Sequence, residues 1–179
     1  MIIRKLFKFE NAHLVRGSTS RRCAFSLHGH SYKAEILLKA DDFKEGEIAI
    51  DFSQIKDMLG WFIDSFDHSV TIWGNDTNAY IEAIKSHSDR WAITPVNPSA
   101  EQFARLFFWF ADRALSAERH ISVESAIVHE TDSAYARAFL EDVQNPRMGA
   151  LKPDEFRFSD EIRNGWGDRK RFEKLFMGN

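Results

Sequence analysis

Cys23-Ala24-Phe25-Ser26-Leu27-His28-Gly29-His30 runs without a break into Ser31-Tyr32-Lys33-Ala34-Glu35-Ile36-Leu37-Leu38-Lys39-Ala40. In the second half Tyr32, Ala34, Ile36 and Leu38 oppose Lys33, Glu35, Leu37 and Lys39. That two-residue period belongs to a strand with one buried face, so residues 31–40 are expected to form one. If the extended backbone already begins at His28, the same period sends the His28 and His30 side chains to one face. Two imidazoles then converge with no helix to hold them.

Outward from this stretch, Leu6-Phe7-Lys8-Phe9-Glu10 alternates in the same way, and a first strand is expected over residues 2–11. His13 follows it in Phe9-Glu10-Asn11-Ala12-His13. Hairpin pairing of the two strands would bring His13 to His28 and His30. Three neutral imidazoles with one open position are the pattern of a catalytic zinc site. The alternative is that they are exposed loop histidines in a chain with 7 His.

A short strand is expected at 47–51 and a helix over 53–65, where Ile55, Leu59, Phe62, Ile63 and Phe66 share one stripe. Asp51 and Phe52 read as a turn residue and a core aromatic. Residues 69–97 are less regular, with a short helix expected at 77–86 and a connection near Pro95 and Pro98. Ser99 followed by Gln102 is a capping-box pattern, opening a helix that carries Phe103, Leu106, Phe107, Phe110, Ala114 and Leu115. Strands at 123–130 and 134–140 are expected about a turn at Asp132 and Ser133. The order strand, strand, helix, helix, strand, strand predicts an antiparallel α+β domain.

The chain of 179 residues is 44% hydrophobic, with 16 Phe and 5 Trp, which is enough apolar area for one core and excludes wholesale disorder. With 24 basic against 27 acidic residues, the net charge of -3 gives no global basic excess for nucleic acid. No stretch approaches the roughly 20 apolar residues of a membrane span. The opening MIIRKLFKFENAH places charges where a signal peptide has its apolar run, and 1 Cys makes no intramolecular disulfide. A reducing cytoplasm is the default expectation. Beyond about Asn145 the tail gathers Pro, Gly and mixed charge, so residues 1–142 are read as the domain and 143–179 as an extension. Its Asp168-Arg169-Lys170-Arg171 cluster, flanked by acids, reads as a solvated face.

Five other residues are candidates for chemistry. A lone Cys is commonly a small buried hydrophobe. Cys23, however, follows Arg21 and Arg22, an electropositive setting that favours thiolate. Asp67-His68 is either the C-terminal cap of the first long helix or an imidazole oriented by a carboxylate for proton transfer. Glu130 ends an apolar strand and needs a partner. A guanidine-like ligand edge would supply two N–H donors to its two oxygens. Glu101, in the first turn of its helix, is accounted for by the helix dipole.

Taken together, the residues resemble the family of 6-pyruvoyltetrahydropterin synthase and 6-carboxytetrahydropterin synthase, from Phe7 to about Tyr135. The landmarks are Phe9-Glu10-Asn11-Ala12-His13, Cys23 before Leu27-His28-Gly29-His30-Ser31-Tyr32, Ile50-Asp51-Phe52, Phe66-Asp67-His68, Pro98-Ser99-Ala100-Glu101 and His129-Glu130-Thr131. The resemblance implies zinc on His13, His28 and His30, Cys23 as the proton-abstracting thiolate, Asp67-His68 as its relay, and Glu130 as the pterin anchor. Ser99 and Glu101 match positions lining the pterin pocket. Arg21 and Arg22 are the phosphate candidates.

The implied substrate is 7,8-dihydroneopterin triphosphate. The implied fold is the tunnelling fold, a four-stranded antiparallel sheet with helices on one face. Its subunits close into a barrel, commonly as hexamers, with sites between subunits. Leu27-His28-Gly29-His30-Ser31-Tyr32 and Pro98-Ser99-Ala100-Glu101 read closer to the carboxy branch, which feeds the 7-deazapurine pathway to queuosine. The four residues between Cys23 and His28 fit neither branch's usual spacing. The competing class is a non-catalytic zinc scaffold of the same fold, in which a fourth protein ligand would close the metal site.

Overall fold

Strands β1 (Ile2–His13) and β2 (His28–Ala40) form a long antiparallel hairpin in which Phe9 faces Tyr32, Asn11 faces His30 and His13 faces His28. The computed structural model describes residues 1–44 and 46–178. The alternation sorts the side chains as expected. Phe9, Tyr32, Ala34, Ile36 and Leu38 are buried, while Arg4, Lys8 and Lys39 are exposed. Between the strands lies the short helix α1 (Arg21–Phe25), which carries Cys23.

Helix α2 (Phe52–Asp64) is capped by Asp51, whose Oδ1 accepts from the Ser53 N–H at 2.7 Å. It buries Ile55, Leu59, Phe62 and Ile63, the expected stripe. Residues 69–97 form β3 (Ser69–Trp73), α3 (Asn78–His87) and β4 (Trp91–Thr94). Helix α4 (Ala100–Ala114) is capped by Ser99 and buries Phe103, Leu106, Phe107 and Phe110. Strands β5 (Ile121–Thr131) and β6 (Ala134–Ala138) follow.

Four expectations are corrected. Phe52, expected as a core aromatic, is 58% exposed where it opens α2. The sheet has seven strands, ordered β6-β5-β2-β1-β3-β4-β7, rather than four. Its β6-β5-β2-β1 part is antiparallel, but β3 joins β1, and β4 joins β3, in parallel. The strand expected at 47–51 does not form. Gly46 (φ 82°) and Glu47 (φ 60°) are left-handed, and the Lys44 N–H closes a local turn on Ile48 O at 2.9 Å. Ala49 and Ile50 are buried without a ladder. The last strand stops at Ala138 because helix α5 (Leu140–Gln144) begins beyond Phe139, where the Asp142 carboxylate accepts the Phe139 N–H at 2.8 Å.

The tail adds β7 (Arg157–Phe158) on the β4 edge, α6 (Asp160–Gly165) and α7 (Arg171–Phe176). Its aromatic residues enter the main core. The Phe62 ring stacks on Phe110 at 4.0 Å and on Phe172 at 5.9 Å, and Trp61 meets Trp166 edge-on at 5.4 Å. Each such ring buried contributes about 1.5–3 kcal/mol of hydrophobic stabilisation. Arg105, 2% exposed, clasps the start of the tail through the carbonyls of Asp142, Met148 and Gly149. Among the described residues no helix is long and apolar enough to cross a membrane.

Candidate active site

The hairpin places three imidazoles at its connected end, where β1 runs into the loop that leads to β2. One nitrogen from each of His13, His28 and His30 lies within 4.8 Å of the others. His13 is fully buried. Its Nδ1 donates to the Pro98 carbonyl at 2.6 Å, and His28 Nδ1 donates to the Ser26 carbonyl at 2.8 Å. A carbonyl only accepts, so both bonds fix the proton on Nδ1 and leave the Nε2 lone pair for a cation. Burial pushes the His13 imidazole down to about 4, outweighing the Pro98 bond and the Glu130 charge, while His28 and His30 lower it further. A neutral, pre-oriented imidazole is the form a metal ion takes. Three imidazole donors, two of them with fixed tautomers, fit zinc.

Glycine between two histidines has a steric cause. A Cβ on Gly29 would lie 3.1 Å from the Asn11 carbonyl, a tight contact that would push the two strands apart by a few tenths of an ångström. The periodicity that aligns His28 with His30 continues to Tyr32, which sequence reasoning counted only as a strand residue. Its hydroxyl donates to Glu130 Oε1 at 3.1 Å. Burial first, and the Glu130 charge second, raise the Tyr32 pKa above its ordinary value, so the hydroxyl keeps its proton. Glu130 Oε1 also lies 3.5 Å from His13 Nε2 and 3.8 Å from His30 Nε2. A one-residue irregularity in the β5–β6 ladder between His129 and Thr131 marks its position.

A cavity of about 230 Å³ opens beside the triad, lined by Cys23, His28, Ser99, Glu101, Glu130 and Tyr135 among others. Five elements meet there: α1 brings Cys23, β2 brings His28, the start of α4 brings Ser99 and Glu101, the end of β5 brings Glu130, and β6 brings Tyr135. Arg22 is exposed and outside this lining, and the Arg21 guanidinium lies 5.1 Å over the Phe25 ring.

Asp67 and His68 sit elsewhere. The helix cap is Ser65, and Asp67 instead accepts the Glu10 N–H at 2.7 Å through Oδ1. Its Oδ2 lies 3.0 Å from His68 Nδ1, so the two side chains do touch. His68 has φ 49°, a sparsely populated conformation for a side-chain-bearing residue, and its N–H donates to the Glu10 carbonyl at 2.7 Å. His68 lines a second cavity of about 400 Å³ with Glu10, Asn11 and His30. Within one chain the thiol and the His68 imidazole thus line different cavities.

Fold and site together define an α+β protein with three histidines that could hold a metal ion, a thiol and a carboxylate at the end of a β-hairpin. Solved structures share this fold. An uncharacterised protein from Wolinella succinogenes has TM-score 0.60 and 18% identity, covering 79% of this chain and 98% of that one. A 6-pyruvoyl tetrahydropterin synthase from Caenorhabditis elegans has TM-score 0.55 and 15% identity, covering 77% and 94%. The sequence model of 6-pyruvoyl tetrahydropterin synthase matches residues 2–141, and the chain belongs to that family. A 6-carboxy-5,6,7,8-tetrahydropterin synthase of Helicobacter pylori strain J99 is 34% identical, over 98% of this chain and 91% of that relative. Another of that description, from Aquifex aeolicus, is 30% identical over 75% of this chain and 94% of its own length.

Proposed function

We propose that this chain is a zinc-dependent 6-carboxy-5,6,7,8-tetrahydropterin synthase. It converts 7,8-dihydroneopterin triphosphate and water to 6-carboxy-5,6,7,8-tetrahydropterin, acetaldehyde and triphosphate. The observation that carries the reading is the single cavity lined by Cys23, His28, Ser99, Glu101 and Glu130, beside a triad with two tautomers set for a cation. The whole-chain similarity to relatives described as 6-carboxy-5,6,7,8-tetrahydropterin synthase favours the carboxy branch. Cys23, Asp67 and His68 also have no place in a purely structural zinc scaffold.

Zinc held by His13, His28 and His30 would supply Lewis-acid polarisation of the substrate's side-chain oxygens. The Cys23 thiolate takes a proton from the substrate side chain. Glu130 grips the N–H donors of the pterin edge, its orientation held by the Tyr32 hydroxyl. Ser99 and Glu101 line the pterin site, and Arg22 is the remaining phosphate candidate. Asp67 holds the His68 imidazole, which relays protons to and from the thiol.

That relay calls on a second copy of the chain, because each copy keeps the pair apart from its own thiol. The exposed Phe25 (66%) and Leu27 (47%) beside Cys23 support such a neighbour. The assembly is a barrel of subunits, a hexamer, in the cytoplasm, and the product feeds queuosine synthesis. Residues 1–142 form the catalytic domain, and 143–179 are an extension that braces it.

Product analysis after incubation of the zinc-loaded chain with 7,8-dihydroneopterin triphosphate tests the reading. Acetaldehyde with 6-carboxy-5,6,7,8-tetrahydropterin is expected. A pterin retaining all three side-chain carbons as a 6-pyruvoyl group selects the pyruvoyl branch, and unchanged pterin refutes both.

A further inference from the structure

Segment 69–97 converges on one residue of the loop between β1 and α1. The Arg16 N–H donates to Asn97 Oδ1 at 3.2 Å, and Asn97 Nδ2 donates back to the Arg16 carbonyl at 2.6 Å. The Arg16 guanidinium forks onto Asp76, with Nε to Oδ2 at 2.7 Å and Nη2 to Oδ1 at 3.0 Å. It lies 5.2 Å over the Tyr80 ring. The Asp76 side chain is only 4% exposed, and its Oδ1 also accepts the Thr77 N–H at 2.7 Å. Backbone and side chain of Arg16 are thus fixed from one segment, leaving Nη1 to act outward.

Nη1 donates to the Ala24 carbonyl at 2.9 Å. Ala24 is buried and follows Cys23 in α1, a helix of 5 residues. So short a helix has no stability of its own, and its position is set by bonds from outside. One is the Val15 N–H to the Cys23 carbonyl at 2.9 Å, and the other is the Arg16 strut. A planar guanidinium can hold a carboxylate with two donors and still offer a third, which a lysine cannot reproduce in one geometry.

We propose that Asp76 and Arg16 are positioning residues for Cys23, holding its turn against the cavity through the Ala24 carbonyl. The proposal rests on the reading of Cys23 as the proton-accepting thiolate, and it gives segment 69–97 a task in the site. Neither residue lines the cavity, so the strut acts through the chain beside it, where Val15, Ser18 and Cys23 do line it.

The test uses the full zinc-loaded chain with Asp76→Ala, Asp76→Asn and, as control, Glu82→Gln on the exposed face of α3. The chain has 1 Cys, so iodoacetamide labelling followed by mass spectrometry reads that thiol directly. Asp76→Ala is expected to raise the labelling rate about tenfold, as the turn opens locally. It should lower kcat about tenfold with KM within about twofold, because orientation is lost and substrate contacts are kept. Asp76→Asn, which keeps the shape but not the charged fork, should shift both in the same direction and carries the comparison if the alanine variant does not fold. Zinc content and the Glu82→Gln rates should match the parent chain. An unchanged labelling rate in a folded Asp76 variant overturns the proposal, as does a KM rise at constant kcat. If the parent chain shows no turnover, the functional reading fails while the labelling comparison still decides the strut.

Discussion

Glu130→Gln separates an anchor for the pterin from a residue of the metal centre. Glutamine keeps the shape of the side chain, which is 28% exposed, so packing is retained. Glu130 Oε1 already accepts the Tyr32 hydroxyl at 3.1 Å. The amide oxygen must stay there to keep that bond, which puts the new NH2 group where Oε2 stood and sets donor against donor at the pterin edge. A hydrogen bond to a charged group contributes about 1.5–3 kcal/mol, and an unmatched donor adds to its loss. A penalty of about 3 kcal/mol corresponds to roughly 150-fold in Kd. Titration calorimetry with 7,8-dihydroneopterin measures that affinity, and elemental analysis of the same samples counts zinc. Pterin affinity should fall by about that factor while occupancy stays near one zinc per chain, because the imidazoles remain. Affinity within about twofold of the parent refutes the anchor, and parallel loss of zinc would instead assign the carboxylate to the metal.

His28→Ala removes one of three imidazole donors, and elemental analysis should show zinc lost; full occupancy would refute the triad assignment. Cys23→Ala should keep fold, zinc and pterin affinity while steady-state turnover falls about 10²-fold or more. Combined with His68→Ala it should add little further, since groups in one relay are non-additive; multiplicative losses would argue for separate roles. In the metal-free chain His13 should stay neutral down to about pH 4 rather than 6.5, so NMR of its ring should give a midpoint near the lower value. Below 6.5 the unfolded chain takes up a proton that the folded chain refuses. The neutral imidazole therefore contributes stability above 6.5, and about 3 kcal/mol is lost as the pH falls toward 4. A ring midpoint near 6.5 would contradict the burial argument.

The hairpin was legible because its code is local. Alternation through Tyr32 and Leu38, and between Phe7 and Phe9, reports which face is buried, and the same period carries His28 and His30 to one side. The gathering of Cys23, Ser99, Glu101 and Glu130 at one cavity could not be read from spacing, and it came instead from the motif order. Strands β3 and β4 were illegible for a physical reason. They are 5 and 4 residues long and pair in parallel, so no tight turn announces them. The Pro98 carbonyl that sets the His13 tautomer is a backbone group and leaves no trace in composition. The separation of Asp67-His68 from Cys23 depends on how distant elements pack. Pro, Gly and charge in the tail concealed Phe156, Phe158, Trp166 and Phe172, which are buried at 8% exposure or less.

That buried tail governs the order in which the protein can mature. Phe62 and Phe110 are laid down early in synthesis, yet one of their covers, Phe172, leaves the ribosome much later, at the roughly 5–20 residues per second of translation. For several seconds the nascent chain carries an uncovered aromatic face and, at β4, an unpaired strand edge that β7 later occupies. Chaperone binding in that interval is therefore expected to affect the yield of folded chain during rapid expression.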